Sequence, residues 1–152
     1  MLIALCQRGA YGRGMNAHQD ISVLLQQRGI QPSAQRVAIA QHVLRTGRHP
    51  TADKVLAEVR HNFPMVSRAT VYNTLRLFVD KGLLRPFQFE GGPTVYDANV
   101  ERHHHFIDED SGEVVDLAWD ALEVRRIDDL PDFAVASYMV VVRGKRRGAP
   151  PV

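Results

Sequence analysis

Hydrophobic residues recur along the first half of the chain at the spacing of amphipathic helices. Ile21, Leu24 and Leu25 share one face over residues 20–28, and the run stops at Gly29, the residue type that best takes the left-handed turn after a helix. Pro32-Ser33 then offers an N-cap. Val37, Ala40, Val43 and Leu44 form the next stripe, which Thr46-Gly47 interrupts. Thr51 caps a third segment with Val55, Leu56 and Val59 inward, ending near Asn62-Phe63-Pro64. Ser67 caps a fourth, in which Val71, Leu75 and Phe78 stand at i, i+4 and i+7 until Lys81-Gly82.

After Gly82 the period changes. The runs LLRPFQFE and TVYDA, joined through Gly91-Gly92, read as a β-hairpin. Helices followed by a last helix and a two-stranded hairpin describe a winged helix-turn-helix, with the helix before the hairpin as the reading element. Beyond it, HHHFIDE and EVVDLAW read as strands around Asp110-Ser111-Gly112. A short helix is expected near 119–127, and a final, largely buried strand at a dimer interface from Val135 to Val142. The expected fold is α+β: a flexible extension over 1–15, a winged-helix domain over 16–98, a small α/β dimerisation and sensing domain over 99–144, and a basic, Pro/Gly-rich flexible tail over 145–152.

Charge sharpens this division. Residues 1–99 carry twelve Lys/Arg against six Asp/Glu, residues 100–133 three against eleven, and residues 134–152 four against none. A basic first half beside an acidic block suggests a polyanion-binding part joined to a part that binds cations or a partner. No stretch of eighteen apolar residues is present and residues 1–14 lack the charged start and cleavage site of an export signal, so a cytoplasmic protein is expected. Cys6 is the one cysteine, which excludes an internal disulfide and any cysteine-based zinc cluster within one chain. A metal would have to use His and carboxylate.

Two constellations carry chemistry. The segment from Ser67 to Arg76 places Arg68, Tyr72, Asn73 and Arg76 on the polar face of the reading helix, where Arg suits guanine, Asn suits adenine and a Tyr ring packs on a thymine methyl. Arg36 and Arg85 are candidate phosphate contacts, which position a duplex without specifying its sequence. Three consecutive histidines then head a strand. Alternation puts His103 and His105 on one face and His104 on the other. Asp97 and Asp116 are near enough in the chain to add oxygens, and His49 would close the site from the winged-helix side. Imidazoles with carboxylates suit divalent iron, manganese, cobalt or zinc. Ligands drawn from both domains would let occupancy fix the angle between them and so set DNA affinity. A hydrolase would need an open coordination position and a base or nucleophile, for which no motif is present.

GIQPSAQR, RHPTADKV, SRATVYNTLRLF, FEGGPTVYD, HHHF and GEVVDL stand in the order and spacing of the ferric uptake regulator (Fur) family, a resemblance running from about residue 20 to 143. It implies a dimeric winged-helix transcription regulator of an AT-rich inverted repeat. It also implies a regulatory metal site at His49, Asp97, His103, His105 and Asp116, and a DNA-contacting tyrosine at Tyr72. Asn73 stands where many members have Arg, and Gln31 where a basic residue is common. The family's first structural-zinc CxxC falls on Asp108-Glu-Asp-Ser111 and the second is absent, so the resemblance implies a dimer held without that zinc. Of a second metal site His104 and Glu123 remain. The missing cysteines, the HHHF and YDANV resemble the Irr branch, the iron response regulators, which implies haem sensing through His103, His104 and His105. The Cys-Pro haem motif of some members is absent, since Gln7 follows Cys6. Peroxide sensors of the family share Asp97 and Asp116 as ligand types.

Overall fold

The computed structural model describes residues 17–45 and 48–148. The predicted extension over 1–15, Cys6, the Thr46-Gly47 break and the end of the tail lie outside the described residues. The chain divides between Val100 and Glu101 into two compact units.

The first unit has the helices α1 (Ala17–Gln27), α2 (Ala34–Arg45), α3 (Ala52–Arg60) and α4 (Arg68–Asp80), then strands β1 (Arg85–Phe87) and β2 (Val95–Asp97). The predicted caps form: the Ser33, Thr51 and Ser67 hydroxyls accept from the backbone N–H three residues on, at 3.2, 3.2 and 3.0 Å. Gly29 and Gly82 close α1 and α4 with φ of 69° and 68°. The next residue bonds back at each: Ile30 N–H donates to Leu25 O at 2.9 Å and Leu83 N–H to Phe78 O at 2.8 Å. Both following side chains are buried, so each helix end is anchored in the core. That core takes Ile21 and Leu25 from α1, Val37, Ile39 and Val43 from α2, Val55 from α3, and Val71, Leu75 and Phe78 from α4. The hairpin pairs antiparallel, Pro86 opposite Tyr96. It is shorter than LLRPFQFE and TVYDA suggest, because Leu83 and Leu84 are drawn into the helical core instead.

The second unit is a three-stranded mixed sheet in the order β4-β3-β5, from β3 (His103–Asp108), β4 (Val114–Ala118) and β5 (Val141–Gly144). Two expectations are corrected here. The helix near 119–127 is a single 3₁₀ turn, Trp119–Ala121, because turns and a positive φ at Arg126 follow it. The last strand begins at Val141 rather than Val135 and is half-buried, since residues 135–140 cross over to lay β5 parallel to β3. The architecture is the expected α+β winged helix-turn-helix followed by a small domain.

Where the absent zinc motif falls, hydrogen bonds close the β3–β4 turn. The Ser111 hydroxyl donates to Asp108 Oδ2 at 2.8 Å and Asp110 N–H to Oδ1 at 3.2 Å. Lys145 Nζ reaches Asp110 at 2.7 Å and Arg146 reaches Glu113 at 2.8 Å, so the start of the tail is tied to this turn. The Ser111 hydrogen bond, helped by Asp110 N–H and Arg146, pulls the Asp108 carboxyl below its ordinary 3.8 against the effect of burial. Its stabilisation is therefore full above that value and is lost as pH falls through the lowered one. Asp108→Asn should flatten the acid limb of stability, read by melting the variant and the parent chain from neutral pH downward; an unchanged acid limb would refute it.

Candidate metal centre and nucleic-acid interface

In the second unit β3 is paired along both edges, by β4 and β5, and His103, His104 and His105 are all buried. His103 and His105 share a face as the strand period requires, and their Nε2 atoms are 3.0 Å apart. Asp116 sits opposite His105 in the ladder, with Oδ1 at 3.6 Å from His103 Nε2 and 3.9 Å from His105 Nε2. The other ring nitrogens face outward: His103 Nδ1 lies 2.8 Å from Glu101 O and His105 Nδ1 3.1 Å from Met139 Sδ. With each Nδ1–H donated outward, both neutral rings aim Nε2 lone pairs at one point. Two lone pairs and a carboxylate oxygen at such separations repel unless a proton or a cation lies among them, and this donor set fits a divalent metal.

His104 is on the other face. Its ring stacks on Trp119 at 4.5 Å and lies 6.1 Å from Tyr138. Its Nδ1 accepts from Val140 N–H at 3.1 Å, leaving the hydrogen on a buried Nε2 that meets no hydrogen-bond partner among the described residues. Glu123, its expected companion, is exposed, pairs with Arg125 at 3.1 Å and joins no cluster of metal-ligating side chains among the described residues.

In the first unit His49 and Asp97 are buried as a pair, Nε2 to Oδ1 3.5 Å. The wing sets this pairing: Tyr96 N–H donates to Pro50 O at 3.0 Å and Thr51 bridges to Val95, so β2 is laid beside the segment carrying His49. Asp97 Oδ1 also accepts from Asn99 N–H at 2.7 Å.

Along α4 the buried stripe leaves Arg68, Tyr72, Asn73 and Arg76 exposed, with Ser67 at the cap and Arg85 exposed in the wing. Arg36 is half-buried and donates to Gln31 O at 2.8 Å. The sequence reading missed Asp53. Its Oδ1 is 2.8 Å from Arg68 Nη2 and accepts from the Tyr72 hydroxyl at 3.5 Å, while the Arg68 guanidinium carbon stands 5.8 Å from the Tyr72 ring centre. One carboxylate thus orders two groups on the reading face. Nothing local to Asp53 signals this, because α3 and α4 meet only in the folded unit. Burial raises the Tyr96 phenol in the wing, and Tyr72 adds to the shift.

The model of the ferric uptake regulator family matches residues 27–141. The peroxide-responsive repressor PerR of Staphylococcus aureus is 34% identical over 122 residues, 79% of this chain and 82% of that repressor. Among solved structures, the ferric uptake regulator of Pseudomonas aeruginosa with manganese superposes with a TM-score of 0.62 at 26% identity, covering 84% of this chain and 98% of that one. That of Vibrio cholerae gives 0.68 at 24% identity over 82% and 98%, a likeness of fold.

Proposed function

This chain belongs to the ferric uptake regulator family, a family of DNA-binding transcription regulators and not of enzymes, and we propose that it is a homodimeric, cytoplasmic regulator whose affinity for an AT-rich inverted repeat is set by a divalent metal. The observation that carries this is the pair of Nε2 lone pairs and the Asp116 oxygen converging in the second unit. His49 and Asp97, paired in the first unit, are the further ligand candidates of this reading, in which residues 16–98 read DNA and 99–144 sense and dimerise. Iron, manganese or zinc, when bound, supplies the positive charge that the five side chains answer. His103 and His105 would hold it through Nε2, and Asp116 and Asp97 would balance its charge.

Dimerisation is supported by how little the second unit buries by itself. Its buried apolar side chains among the described residues are Ile107 and Val114, whereas Leu130 and Phe133 are exposed. A domain this small does not hold itself together on such a core. No helix among the described residues is long and apolar enough to cross a membrane.

The finer reading is control of iron and haem metabolism, with haem as a signal at His103, His104 and His105. The buried His104, stacked on Trp119 with Tyr138 beyond and an unmatched Nε2, supports it. The alternative, peroxide sensing, is supported by the 34% identity to a peroxide-responsive repressor and by carboxylates at 97 and 116. Fluorescence anisotropy of the manganese-loaded protein on a labelled AT-rich inverted repeat separates them. Release by near-stoichiometric hemin selects the haem reading, release by peroxide selects the alternative, and release by chelation alone leaves a plain metal sensor. Log affinity should fall linearly with log salt, with a slope of about −0.9 per phosphate neutralised. Arg68→Ala should weaken the specific site by about 1–3 kcal/mol. A salt-independent signal would sink the DNA reading.

A further inference from the structure

Metal-binding imidazoles almost always donate their second nitrogen to a carboxylate, a backbone carbonyl or water. His103 obeys this through Glu101 O. At His105 the group facing Nδ1 is the thioether of Met139 at 3.1 Å, a weak acceptor. Met139 is also 38% exposed, so the residue reaches the surface, while the ring beside it is wholly buried.

We propose that Met139 is a modification site, a peroxide-oxidisable partner of His105 whose conversion to the sulfoxide loosens the metal centre. The inference rests on the metal reading of His103, His105 and Asp116. In the step itself the sulfur lone pair attacks one oxygen of a hydroperoxide. An S–O bond forms and the O–O bond breaks. The sulfur is oxidised by two electrons, and the departing oxygen takes up a proton to leave as water, or as an alcohol from an organic peroxide. The product is polar and chiral in place of a flexible apolar group, and is reversible by sulfoxide reductases.

The surroundings convert that change into a displacement of the ligand. At 3.1 Å between nitrogen and sulfur there is no room for an oxygen between them. The chain at 139 cannot simply withdraw, because the adjacent Val140 is tied to β3 twice. His105 N–H donates to Val140 O at 3.0 Å and Val140 N–H donates to His104 Nδ1 at 3.1 Å. The sulfoxide therefore turns away or pushes the ring, and in either case the contact between His105 Nδ1 and the thioether is lost. Changes of such outer partners typically cost about 10–100-fold in metal affinity.

Met65 is the internal control. It is 93% exposed, stands in the first unit, and has no part in the cluster, so peroxide should oxidise it without consequence for the metal. The test uses the full-length, metal-free protein, treated with hydrogen peroxide under a chelator, desalted, mapped by peptide mass spectrometry, and titrated with manganese. Sulfoxide at 139 should accompany a rise in the manganese dissociation constant of about tenfold or more, reversed by methionine sulfoxide reductases. Met65→Leu should respond as the parent does. Met139→Leu, which removes the sulfur acceptor outright, should bind manganese about 10–100-fold more weakly than the parent before treatment and lose no further affinity on exposure to peroxide; Cys6 oxidation is common to all forms and cancels. The proposal is overturned if position 139 stays unoxidised while 65 is oxidised, if the oxidised parent binds manganese as tightly as before, or if Met139→Leu loses as much affinity on exposure to peroxide as the parent. Failure of the untreated parent to bind manganese would overturn the metal reading and this inference together, whereas the other three results leave the metal reading standing.

Discussion

Replacing His103 and His105 together by Ala should lower manganese affinity by more than about a hundredfold, beyond the 10–100-fold typical of changes in the outer partners of a metal ligand. Two of the three donors that converge in the second unit are lost, and of those three the Asp116 carboxylate, about a third exposed, remains. The same variant should hold DNA no more tightly with manganese than without. Isothermal titration gives the first quantity and anisotropy the second. Far-ultraviolet circular dichroism of the metal-free variant should match the parent, because the helical core lies wholly in residues 21–84. Stoichiometric manganese binding with parental affinity in that variant would place the centre elsewhere. Lowering the pH should act on the parent in the same direction as the substitution, since protons compete with metal for imidazole nitrogen.

The second large effect is structural. Phe78→Ala should cost about 3–5 kcal/mol, the usual range for deleting a buried phenyl ring together with the cavity it leaves. Phe78 is among the largest wholly buried side chains, and its carbonyl also accepts the Leu83 N–H that closes α4. The ring sits in the core while Tyr72, Asn73 and Arg76 of the same helix face outward, so one side chain fixes the depth and rotation of the reading face. Urea titration should show the midpoint falling, and specific DNA affinity should fall with it at temperatures where the variant begins to open. Leu77→Ala, on the half-buried flank of the helix, should cost less than Phe78→Ala. A loss below about 1 kcal/mol for Phe78→Ala would mean that α4 is not docked through this ring.

Much of the first unit was legible because its signals are local. Ser33, Thr51 and Ser67 satisfy N–H groups three residues away, Gly29 and Gly82 take a backbone conformation others resist, and the apolar stripes have the helix period. The wing's existence followed from a change of period and Gly91-Gly92, but its length did not, because Leu83 and Leu84 went to the core. In the second unit the alternation of His103, His104 and His105 was readable from the strand period alone. The segment after Ala118 was misread. Sequence places a helix near 119–127 and a strand from 135, while the fold uses 119–140 as a crossover that packs Trp119 and Tyr138 on His104 and reaches β5 only at Val141.

The sequence by itself determined the order of the elements, their caps, and a supply of His and carboxylate ligands free of thiolate, since each depends on neighbours within a few residues. Tertiary structure alone decided which side chains meet. It set the two Nε2 atoms of His103 and His105 against Asp116, gave His105 a thioether for its second nitrogen, and brought Asp53 from α3 to Arg68 and Tyr72 on α4. Those partners lie 11 to 34 residues apart in the chain, and only strand register and helix packing, which are set by the whole core, bring them within reach of one another.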